Sequence, residues 1–100
     1  MYIGSGIQFD QSNGFGVDLK CSQDASGKLS GTATTNGGMQ GTIEDGSRVV
    51  GDSVVFIINW GGSRGRYEGT LNPIDHILSG TTMDMNNPGS IAHWWCPTPV

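Results

Sequence analysis

Apolar and polar residues alternate with a period of two along most of this chain, in short runs closed by turn residues. Residues 16–22 are the cleanest case. Val17, Leu19 and Cys21 fall on one face and Asp18, Lys20 and Ser22 on the other, as in a half-buried strand. Ile7 and Phe9 alternate with Gln8 and Asp10 over residues 6–10, and further extended segments follow at 28–35, 39–44, 53–60, 66–71, 76–85 and 91–96. The turns between them are rich in Gly, Asn, Asp and Ser: Ser12-Asn13-Gly14, Asp24-Ala25-Ser26-Gly27, Asn36-Gly37-Gly38, Gly61-Gly62-Ser63-Arg64-Gly65 and Asn86-Asn87-Pro88-Gly89. Arg48-Val49-Val50, bracketed by Asp45-Gly46 and Gly51-Asp52, reads either as a continuation of the fourth segment or as a separate bulged piece.

Inside those segments the dipeptide Gly-Thr recurs at Gly31-Thr32, Gly41-Thr42, Gly69-Thr70 and Gly80-Thr81. Glycine weakens a strand interior, so its recurrence at equivalent places indicates a geometric need of a tightly coiled sheet. Eight strands joined by short loops predict an all-β fold, a small antiparallel up-and-down barrel of seven or eight strands in meander order, forming one domain over residues 1–100. Seventeen glycines and 14% charged residues argue against helices.

The segment at 53–60 is apolar on both faces. Alternation sends Val54, Phe56, Ile58 and Trp60 into the barrel and leaves Val55 and Ile57 outside, where either a homo-oligomer contact or neighbouring long side chains would cover them. The simplest assembly is a two-fold dimer.

The formal charge of −4 leaves no basic surface for nucleic acid, and the longest apolar run, Val54 to Ile58, is far short of a membrane-spanning helix. Residues 1–4 lack a secretion signal, so the chain reads as intracellular or as a mature region with a start Met. Its high Gly, Ser, Thr and Asn content resembles that of secreted or periplasmic bacterial β-proteins, which sets the expected localisation.

Gly27-Lys28-Leu29-Ser30-Gly31-Thr32, Phe56-Ile57-Ile58-Asn59-Trp60 and Tyr67-Glu68-Gly69 occur in an order that resembles the avidin and streptavidin family of eight-stranded biotin-binding barrels. The resemblance implies a ligand-stacking role for Trp60 and a hydroxyl contact from Thr35. Asp10 and Gly14 fall where that family has the Asn and Ser that receive the biotin ureido oxygen, and Ala33 falls where it has a Tyr. A seventh-strand Trp is also missing, with Thr82 or Met83 nearby. Tight biotin binding is therefore not expected.

Adjacent Trp94 and Trp95 must point to opposite faces of a strand. The inner indole either meets Trp60 in an aromatic slot for a flat ligand or sugar ring, or plugs a filled core. Acidic pairs such as Glu44 with Glu68, or Asp10 with Asp84, could flank a sugar, but turn and rim solvation accounts for most such acids. His76 and His93 lack metal-ligand spacing, and no nucleophile elbow or phosphate loop is present.

These readings converge on a non-enzymatic barrel without metal or cofactor that binds a small organic ligand or carbohydrate at one end. The candidate ligand-binding residues are Asp10, Thr35, Trp60, Tyr67, Trp94 and Trp95. The alternative is a structural or protein-binding barrel with a solid core. Cys21 and Cys96 fall at the same rim of a meander with one strand between them, so a disulfide requires the first strand to begin below that rim. Such a bridge would add about 4 kcal/mol.

Overall fold

The computed structural model describes residues 1–100 and contains nine strands and no helix. They are β1 (Ile7–Gln11), β2 (Gly16–Gln23), β3 (Leu29–Thr35), β4 (Gln40–Ile43), β5 (Arg48–Val50), β6 (Ser53–Asn59), β7 (Arg64–Leu71), β8 (Leu78–Asp84) and β9 (Asn87–Trp95). Every pairing is antiparallel, and the β1–β9 and β4–β6 ladders complete the ring. The fold is thus a closed up-and-down barrel of eight strands with the short β5 in addition, as the alternation and turn chemistry predict.

The register explains why β4 and β5 are separate. Ile43 pairs with Ile58 and Arg48 with Val55, so the chain advances five residues while β6 advances three. The β3 side has the same two-residue excess, between the Thr32–Thr42 and Lys28–Arg48 pairs. The two strands form one staved position interrupted by a bulge with Asp45-Gly46 at its tip. Ser47, fully buried, repairs the break: its hydroxyl donates to Glu44 O (2.8 Å) and accepts from Ile57 N (2.9 Å).

All four Gly-Thr dipeptides lie inside strands, with glycine on the inner parity and threonine on the outer. The reason is local. An ideal Cβ on Gly41 would stand 2.8 Å from Trp60 Cε3, and one on Gly69 would stand 2.5 Å from Trp94 Cζ2. The missing side chains make room for large rings in a narrow interior.

One end of the barrel is sealed. Ile3 folds into it with its N–H on Gln23 Oε1 (2.9 Å) and its carbonyl accepting from Cys21 Sγ (3.1 Å), among Leu29, Val49, Leu78 and Cys96. The middle is an aromatic plug. Phe56 stacks on Tyr67 (4.8 Å, 6°), and Phe9 lies 5.0 Å from Trp94 and 5.6 Å from Tyr67. Outside, Val55 and Ile57 are half-buried, paired across the ladder with Glu68 and Arg66, which are bonded to each other.

Four local expectations are corrected. Arg64 and Gly65 open β7 rather than closing the preceding loop, because they pair with Asn59 and Ile58 on β6. Asn87-Pro88-Gly89 belongs to β9 rather than to the preceding turn, which is Met85-Asn86. Pro88 is tolerated there because β1 reaches only Trp94 and Trp95, leaving that stretch of β9 an unpaired edge on one side. His76 lies in the turn before β8, with φ of 58°. The first strand runs one residue further than its apolar pattern suggested, and ends on Gln11.

Candidate functional site

The opposite end of the barrel is open. There the C-terminal ends of β1, β3, β6 and β8 and the adjoining loops surround a cavity of about 360 Å³, whose deep lining includes Gln11, Thr35, Trp60, Tyr67 and Thr82. Strand parity places Gln11, Thr35, Tyr67 and Thr82 on the inner face, where each is buried. Trp60 follows the last residue of β6 and is partly buried against the core, forming a wall above Gly41.

The polar groups at the bottom form a connected set. Tyr67 Oη donates to Gln11 Oε1 (3.2 Å), and Gln11 Nε2 donates to Asn13 Oδ1 (3.1 Å). Burial raises the pKa of the Tyr67 phenol, and side-chain hydrogen bonding with Trp60 and Thr82 offsets part of that rise. Thr35 Oγ1 accepts from Met39 N (3.0 Å), which leaves its own O–H free to donate. The floor is consequently polar and uncharged at neutral pH: an amide, two hydroxyls and a protonated phenol.

Charges stand at the mouth. Arg64 Nε binds Glu44 Oε1 (2.8 Å), while Asn59 Nδ2 holds Glu44 Oε2 (3.3 Å). Asp84 Oδ1 accepts from Asn86 N (2.9 Å). Both Arg64 and Asp84 line the cavity.

Of the six predicted ligand-binding residues, Thr35, Trp60 and Tyr67 are brought together. The other three are elsewhere. Trp94 is 1% exposed beneath the cavity, with Nε1 on Thr81 O (3.1 Å), and fills the core between Phe9 and Phe56 rather than facing Trp60. Trp95 is 40% exposed on the outer face. Asp10 pairs with it across the β1–β9 ladder and faces outward too, because Phe9 and Gln11 take the inner parity of β1. Gln11 and Thr82 were missed. Continuing the Ile7, Phe9 row by one more step would have found Gln11, and the Leu78, Gly80 row leads to Thr82.

The expected bridge is also corrected: Cys21 and Cys96 are free, buried thiols. The first strand does start late, but continuing the β1 ladders puts Cys21 level with Ser5 and Cys96 level with Phe9. Four residues along a strand amount to ~13 Å, well beyond disulfide reach. The free thiols also remove the support that a bridge would have lent to a secreted assignment. Glu44 and Glu68 are each held by an arginine, Arg64 and Arg66. No cluster of three or more His, Cys, Asp or Glu side chains is suited to a metal ion.

No protein-family model, curated protein or solved structure matches this chain.

Proposed function

We propose that the protein is a non-enzymatic binding module that takes a small uncharged ligand, an organic ring or a sugar, into the open end of its barrel. The observation that carries this reading is the cavity of about 360 Å³ in which Trp60 rises beside the neutral set Gln11, Thr35, Tyr67 and Thr82. A charged group on that floor would lose its hydration without an opposite charge to replace it, whereas a hydroxyl or amide exchanges hydrogen bonds at little cost. The apolar face of a ring would lie on the Trp60 indole. Kinship with the avidin-like barrels belongs to the same proposal, supported by the meander of eight strands and by Trp60 at the end of β6.

The test is titration of labelled protein with monosaccharides and small cyclic amides, read at the Trp60 indole N–H by NMR. Selective movement of the Trp60 resonance, with Trp95 unmoved, is the expected result. Unchanged Trp60 across both ligand sets would defeat the reading.

One observation favours a partner-binding role instead: Trp95 and Ile91 stand exposed on the outer face of β9. A two-fold contact through Val55 and Ile57 on β6 belongs to that second reading. A single monomer in sedimentation at micromolar concentration would remove the dimer.

A further inference from the structure

The cavity has two chemically different zones. Its depth is the neutral polar set described above, and its mouth carries large, exposed apolar side chains. Phe15 in the β1–β2 loop is 45% exposed and Met39 before β4 is 49% exposed, yet both line the same cavity as Gln11 and Tyr67. They come from two separate loops, so one sequence-local run of apolar residues does not explain them. The ion pair of Arg64 with Glu44 sits on the rim between these elements, with the Arg64 guanidinium already occupied.

Resting on the neutral-ligand reading, we propose a narrower ligand class: a small neutral amphiphile. Its hydroxyl- or amide-bearing head enters against Gln11, Thr35, Tyr67 and Thr82, and its short apolar tail leaves between Phe15 and Met39. A ligand wholly polar would leave those two side chains wet. One wholly apolar would strip water from the floor hydroxyls without replacing their hydrogen bonds. The two zones together select a molecule that is polar at one end and apolar at the other. Met39 suits a tail of variable shape, because its unbranched thioether side chain repacks readily.

The experiment compares methyl, butyl and hexyl β-glucosides, and acetamide with N-hexylacetamide, by calorimetry and by the Trp60 NMR signal, below the concentrations at which the probes self-associate. Each fully buried methylene is worth about fourfold in affinity, so hexyl should exceed methyl by about tenfold or more even with partial burial. The double variant Phe15→Ser, Met39→Ser changes only exposed positions, and its hexyl-to-methyl ratio should collapse toward one. In Tyr67→Phe, by contrast, both members should weaken while the ratio survives. Short heads that bind with no gain from the tail, or a gain that persists in the double variant, overturn the amphiphile but leave the neutral-ligand reading standing. Hexanoate or hexylammonium binding as tightly as the best neutral probe overturns the neutral head. Absence of binding by every probe, with Trp60 unmoved, overturns both proposals.

Discussion

Gly69 on β7 lies beneath the Trp94 indole of β9, so close that an ideal Cβ at position 69 would stand 2.5 Å from Trp94 Cζ2 and 2.8 Å from Ser79 O. The side chain in the way is the fully buried member of the aromatic plug, packed against Phe9 and Phe56, and the second obstacle is backbone. Neither can retreat cheaply. Gly69→Ala should therefore destabilise the protein by about 1–3 kcal/mol through overpacking. Urea unfolding followed by tryptophan emission checks this, with Gly62→Ala as control, since nothing lies within 4 Å of a Cβ there. Equal midpoints for the two variants would contradict the packing argument.

The same pair shows where the sequence was legible. Glycine recurring within strand patterns implied a tightly coiled sheet, and alternation implied which parity would face inward; the inner row of β6 followed the expected order. Which large ring each glycine accommodates depends on register between strands that are not neighbours in sequence, and alternation along one strand carries no such information. The site was half legible for the same reason. Trp60 continues the visible inner row of β6, and Thr35 enters through the family resemblance; the same resemblance points to Asp10, which the alternation of β1 turns outward, while ending β1 one residue early hides Gln11. The cysteine levels likewise depended on β1–β9 register, which no turn fixes.

Ser47 closes the break between β4 and β5 with one hydroxyl that serves both Glu44 O and Ile57 N. Ser47→Ala removes that hydroxyl and leaves two backbone groups unpaired in a buried place. The expected cost is about 1–3 kcal/mol. Hydrogen exchange should localise the effect, with faster exchange at Ile57 N–H than at Val54 N–H. Uniform acceleration across the barrel, without a local excess at Ile57, would speak against this role.

Tyr67→Phe keeps the stack on Phe56 but removes the donor to Gln11 Oε1. The cost should be on the order of 1 kcal/mol, because Gln11 is buried and its carbonyl loses its protein partner. A thermal scan measures it. Gln11→Leu together with Tyr67→Phe should cost less than the sum of the single changes, since the double variant leaves neither polar group stranded.

Thiol chemistry gives two readouts. In denaturant without reductant the chain should titrate two free thiols, and in the folded state both should react slowly because both are buried. One or no thiol in the denatured sample would restore the bridge.

The Cys96 thiol also sets an alkaline limit. Burial pushes its pKa from 9.0 to about 11, and the Asp10 carboxylate adds to the rise because a second negative charge nearby is unfavourable. The folded chain therefore keeps this proton at a pH where the unfolded chain has released it. The resulting stabilisation is complete below about pH 9 and is lost as the pH rises through 9 toward 11. Cys21 shifts in the same direction, chiefly through burial, and Tyr67 extends the loss above pH 10. Between pH 8 and pH 11 wild type should lose on the order of 1–2 kcal/mol through Cys96 alone. In Cys96→Ala that component disappears, although the variant starts lower at neutral pH because of the volume removed. Urea midpoints at the two pH values, taken for both proteins, give the comparison. An equal alkaline loss in wild type and variant would show that the proton on Cys96 is not what the barrel is holding.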